Sequence, residues 1–185
     1  MITIHEHSFE EDAIPSFCSI LDLGGNRGQF AQAFFELFPL AHVVSYEPTH
    51  ALLESNRTNW TVVEKAIALK DGVETLSLFV DKSWCNSLVF KDGAQSTMQV
   101  VTQDIRPLIP NFDLIKMDIE GSEYPILEGL TIDELRQCRQ WSVEFHCSLY
   151  PEYRQRTWSI IRKFLRAGFH IGHIDDTFFD VSFIR

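Results

Sequence analysis

Apolar and polar positions along this chain follow two periods in turn. Residues 17–23 are an apolar run that stops at glycines, and residues 28–38 follow with Phe30, Phe34, Leu37 and Phe38 at helical spacing. The pattern predicts a strand, a tight turn and a helix. It continues with a strand over 42–46, a helix over 49–59 and a strand over 61–68. A further strand is expected at 112–118, a short helix at 124–130 and a strand at 141–146. A helix follows at 152–167, with Trp158, Ile161, Phe164 and Leu165 facing inward. Continuous apolar strands alternating with helices predict an α/β fold, a three-layer sandwich with a sheet covered on both faces.

Two stretches break the alternation. Residues 75–80, 87–90 and 98–102 are β-like where a crossover helix would be expected, so 75–103 reads as a β-rich excursion able to cap a site. Residues 169–174 and 178–184, on either side of Asp175-Asp176-Thr177, read as a hairpin. The expected architecture is therefore a mostly parallel sheet closed by an antiparallel C-terminal hairpin. No repeat or linker interrupts it, so residues 1–185 read as a single domain with 1–16 as an N-terminal extension.

Composition narrows the function. The chain is 45% hydrophobic, 23% charged and carries a net charge of −10. An acidic chain gains no counterion release on nucleic acid, which argues against DNA or RNA as partner. The basic residues Arg154, Arg156, Arg162, Lys163 and Arg166 read as a solvated helix face. No run of about 20 apolar residues is present, so no membrane partner is expected. The first residues lack the basic and apolar regions of a secretory signal. Cys18, Cys85, Cys138 and Cys147 have neither CxxC nor zinc spacing and read as thiols of a reducing, cytoplasmic setting.

The candidate chemistry sits where predicted strands end. Gly24, Gly25 and Gly28 follow the first strand, but in no frame do they fit the dinucleotide fingerprint G-x-G-x-x-G. Asp22, just before the turn, would repel a pyrophosphate and attract an ammonium or sulfonium. Glu47 ends the second strand about 20 residues further on, where a carboxylate can accept from both ribose hydroxyls. Lys116, Asp118, Glu120, Gly121 and Glu123 cluster at the end of the fourth. A buried Lys116 would need a carboxylate partner. Glu144 and His146 share a face at the end of the next strand, and His146 is the side chain best suited to proton transfer near neutrality.

These motifs, in this order, resemble the FkbM family of S-adenosylmethionine-dependent methyltransferases. The pieces are LDLGGNRGQF (21–30), YEP (46–48), AIALKDG (66–72), LIKMDIEG (114–121) with Glu123, and VEFH (143–146). The resemblance implies a class I methyltransferase Rossmann-like fold with seven strands and methyl transfer to a hydroxyl of a small molecule, such as a sugar or natural product. By that likeness Gly24, Asn26 and Gly28 line the methionine moiety and Glu47 holds the ribose. The expected cofactor contacts are Asp22, Gly24, Gly25, Asn26, Gly28, Glu47, Pro48, Ala66 and Asp118. Asn86 and Ser87 are candidate pocket residues. A base must take the acceptor's proton. His146 is the first choice, then Asp118 or Glu120. Asp118, Glu120, Glu144 and His146 could instead hold a divalent cation, an alternative that ranks lower because their spacing is not diagnostic. Two other classes stay open. One is a nucleotide-cofactor-binding domain without methyl transfer, the other a nicotinamide oxidoreductase.

Overall fold

The computed structural model describes residues 1–49, 57–79, 86–148, 151–175 and 180–185. Its centre is a seven-stranded sheet. In chain order the strands are β3 (Ser19–Leu23), β4 (His42–Tyr46), β5 (Trp60–Val63), β9 (Leu114–Met117), β10 (Gln140–Glu144), β11 (His170–Ile174) and β12 (Asp180–Ile184). In space the order is β11-β12-β10-β9-β3-β4-β5. The pairings β10·β9, β9·β3, β3·β4 and β4·β5 are parallel. The pairings β10·β12 and β11·β12 are antiparallel. The sheet is thus mixed, which corrects the expectation of a mostly parallel one. The reason is local: β12 inserts between β11 and β10, so one reversed strand makes two antiparallel pairings.

Alternation in the strands feeds two cores. Ile20, Val43 and Leu114 pack with Phe30, Phe34 and Phe35 of α1 (Gln29–Leu37). Leu21, Leu23, Ile115 and Met117 pack on the other face with Tyr124, Ile126 and Leu127 of α2 (Glu123–Gly129), Leu135 of α3 (Ile132–Leu135), and Ile160, Ile161 and Phe164 of α4 (Arg154–Arg166). On α4, Trp158 and Leu165 point outward, 40% and 46% exposed, contrary to the sequence pattern. Leu37 of α1 is likewise exposed, and Phe17 lies outside β3, 77% exposed. On the basic face, Lys163 donates to the carbonyls of Leu127 and Glu128 at the end of α2, and Arg156 makes a two-point contact with Glu128.

The single strand expected over 61–68 is two. β5 ends at Val63, and β6 (Ala66–Ala68) leaves for a three-stranded sheet with β8 (Ser96–Asp104) and β7 (Gly72–Leu78). This smaller sheet is the β excursion, and Ser77 bridges to Ser87 within it. The helix expected over 49–59, Cys85 and the hairpin's turn fall largely or wholly outside the described residues. A further hairpin, β1 (Ile2–Ile4) and β2 (His7–Phe9), occupies the N-terminal extension and turns at His5 and Glu6, both at positive φ. Among the described residues no helix is long and apolar enough to cross a membrane.

Candidate active site

A cavity of about 370 Å³ opens at the C-terminal ends of β3, β4, β9 and β10. One side is the glycine turn. Gly24 has φ +80°, and a Cβ there would stand 1.7 Å from the carbonyl oxygen of Asp118, so two strand-end loops touch through bare backbone. The amides of Gly24 and Gly25 both donate to Tyr46 O, at 3.0 and 3.1 Å. Asn26, at φ +45°, donates its amide to Glu47 Oε2 at 3.1 Å. Thr49 donates its amide and hydroxyl to Glu47 Oε1, at 3.0 and 2.7 Å. The first two sequence motifs are therefore joined directly. Burial pushes the Glu47 carboxyl up, against the pull of these hydrogen bonds.

Lys116 ties the turn to the opposite side. Its Nζ lies 3.3 Å from Asp22 Oδ1 and 3.7 Å from Asp118 Oδ2, and donates to Gly24 O at 2.7 Å and Leu23 O at 3.3 Å. Burial would discharge this ammonium; Asp22 and Asp118 outweigh it and hold it charged. Asp22 is fully buried and also accepts from Ser45 Oγ at 2.7 Å. Its charge answers Lys116 and is not turned toward a ligand, a different place from the one the charge argument expects.

The turn after β9 explains its own motif. Glu123 is fully buried at the start of α2 and accepts from the amides of Ile119 (2.6 Å) and Gly121 (2.8 Å). Those bonds fold the loop so that Glu120 adopts φ +52° and projects into the cavity. Gly121 has φ +95°, and a Cβ on it would meet the Phe90 ring at 2.6 Å. Ser87 is buried beneath, donating to Glu120 O and accepting from the amides of Val89 and Phe90.

His146 stands behind Glu120, not on the cavity. The strand ends at Glu144, and His146 opens a 3₁₀ turn, 2% exposed. Its Nε2 is 3.1 Å from Glu120 Oε2, and its Nδ1 is 3.8 Å from Glu123 Oε2. Burial alone would lower the imidazole's pKa; Glu120, Glu123 and Asp118 reverse this and raise it to about 10. Burial raises Glu120 too, opposed by His146. Glu144 is pushed up to about 9 by burial and by Asp118.

Of the residues expected from sequence, Gly24, Asn26, Glu47, Pro48, Ala66, Asp118 and Glu120 line the cavity, as does Asn86. Asp22, Gly25, Gly28 and His146 do not. Gly28 caps α1 at φ +79°, where a Cβ would strike Trp60. Residues not anticipated as lining are His5 and Glu6 from the N-terminal turn, Gln29, Lys65, and the apolar Ile67, Leu76 and Leu88. The first two lie in the polar run His5-Glu6-His7-Ser8, which carries no signal that sets them apart.

A family model described as the methyltransferase FkbM domain matches residues 22–171. Among solved structures, methyltransferase FkbM from Methylobacillus flagellatus KT aligns with 92% of this chain and 44% of its own, at 15% identity and a TM-score of 0.57. CalO1, a methyltransferase of calicheamicin biosynthesis in its SAH-bound form, aligns with 92% of this chain and 50% of its own, at 12% identity and a TM-score of 0.46. The chain spans half or less of the length of these two proteins, and likeness at such identities concerns the fold. No curated protein matches.

Proposed function

This chain belongs to the FkbM methyltransferase domain family, and from that premise we propose that it transfers a methyl group from S-adenosylmethionine to a hydroxyl of a small molecule. The observation that carries the reading is one cavity walled by the Asn26–Glu47 pair on one side and Asp118 with Glu120 on the other. The residues fit the cofactor. At Gly24 no side chain is tolerated between the turn and Asp118. Among the described residues Glu47 Oε2 accepts from the Asn26 amide alone, which leaves acceptor capacity for ribose hydroxyls. Pro48 and Ala66 line the same cavity, while Asp22, Gly25 and Gly28 act by shaping the turn.

Held there by Gly24, Asn26 and Glu47, S-adenosylmethionine would supply an electrophilic methyl group for the acceptor oxygen, the C–S electron pair staying with sulfur. The rest falls to the chain. An alcohol must lose its proton as it attacks. Glu120 faces the cavity, and His146 supports it from behind with a hydrogen bond. Glu120 is thus the proton acceptor in this reading and His146 the positioning residue, the reverse of the order expected from sequence. Fixing oxygen, carbon and sulfur in line supplies several kcal/mol of the barrier, about 7–11 in the best-oriented cases. Calorimetric titration with S-adenosylmethionine and its demethylated product tests the cofactor. Folded protein that binds neither at millimolar ligand overturns the reading. Labelled-methyl transfer to a panel of sugar and polyketide hydroxyls tests the acceptor class.

A further inference from the structure

We propose that His7, Asp118 and Glu144 hold a divalent cation in the wall of the cavity. His7 comes from β2, Asp118 from the loop after β9 and Glu144 from the last position of β10. One ligand atom from each lies within 4.8 Å of the other two.

Each of the three has a donor atom to spare. His7 is 2% exposed, and among the described residues its side chain hydrogen-bonds through Nδ1 to Ser142 Oγ at 3.1 Å. Ser142 Oγ donates in turn to Asp180 Oδ1 at 3.0 Å, and that carboxylate lies 3.6 Å from Nδ1. Imidazole ligands are commonly oriented in this way, one nitrogen held by a hydroxyl or carboxylate so that the other faces a metal. Asp118 turns Oδ2 toward Lys116, while its Oδ1 is buried with no hydrogen-bond partner among the described residues. The carboxylate of Glu144 makes no hydrogen bond among the described residues; its nearest opposite charge is His146 Nε2 at 3.9 Å. A buried polar atom left over like Asp118 Oδ1 calls for an ion or a water.

One imidazole and two carboxylates make a borderline-to-hard donor set, suited to Mn²⁺ or Zn²⁺. Asp118, Glu120 and His146 also lie close together. In that set, however, His146 Nε2 is already engaged by Glu120 at 3.1 Å. An ion on His7 would clamp the N-terminal hairpin to the strand ends, with two of its ligands facing the cavity.

The test reads the metal and needs neither cofactor nor acceptor, so its failure is separate from failure of the methyl-transfer reading. The full chain, stripped with chelator, is titrated with MnCl₂ while free Mn²⁺ is followed by electron paramagnetic resonance, and with ZnCl₂ by calorimetry. The expected result is one ion per chain, bound about tenfold or more weakly in His7→Gln and in Glu144→Gln and unchanged in Glu120→Gln. No saturable binding of either ion at millimolar concentration overturns the proposal. So does loss in Glu120→Gln with none in His7→Gln, which moves the ion to the other cluster. If His7→Gln does not fold, Glu144→Gln set against Glu120→Gln decides the matter.

Discussion

Lys116 Nζ and Asp22 Oδ1 lie 3.3 Å apart, in side chains 4% and 0% exposed. Neither residue borders the cavity, yet the pair fixes both of its sides, because the same ammonium holds Gly24 O and faces Asp118. Lys116→Met leaves the buried Asp22 charge with the Ser45 hydroxyl but no countercharge. The expected loss is about 3–5 kcal/mol, read as a lower urea midpoint. Asp22→Asn combined with Lys116→Met should recover part of it, since the buried charge is gone.

Glu47→Ala removes the carboxylate that accepts from Asn26 and Thr49. Affinity for S-adenosylmethionine should fall by about 1–3 kcal/mol in calorimetry. An unchanged value removes Glu47 from the ribose site.

Glu120→Gln keeps the shape of the side chain and removes the proposed base. Turnover should drop by a factor on the order of 10²–10⁴ with cofactor affinity retained. His146→Gln, whose proposed part in turnover runs through Glu120, should lower kcat by less and leave the cofactor KM unchanged. Steady-state kinetics separate the two, and an equal KM defect in both would mark a folding effect instead.

Glu123 governs a pH dependence of stability. Burial raises its pKa from 4.5 to about 7, against the pull of His146 and the Ile119 amide. Between those values the native state holds a proton that the unfolded chain has released. The contribution is whole below pH 4.5 and is lost as pH rises through about 7. Urea midpoints measured across this window should fall with rising pH in the wild type and fall less steeply in Glu123→Gln.

Strand ends were the legible part of this chain. An apolar run that breaks at Gly24, Glu47 or Asp118 marks both the edge of the sheet and the group presented there, so fold and site were read from the same residues. Lys116 was legible for a related reason: a cation in an apolar strand needs a partner. The split between β5 and β6 was not legible: Glu64 and Lys65 interrupt the apolar positions of 61–68 there, but nothing local says that the strand after them joins another sheet. Trp158 and Leu165 misled because helical spacing defines a stripe but not its width. His7 was silent, since its role depends on Ser142 and Asp180, more than 130 residues away in sequence.

Glu123 belongs to α2 by position but spends its carboxylate on the loop before it. The amides of Ile119 and Gly121 are therefore tied to the helix through that carboxylate. In a deuterium-exchange experiment they should open together with α2 as one cooperative unit, although neither lies within it. Fraying of the helix would then register at Glu120, so the proposed proton acceptor is only as steady as the first turn behind it.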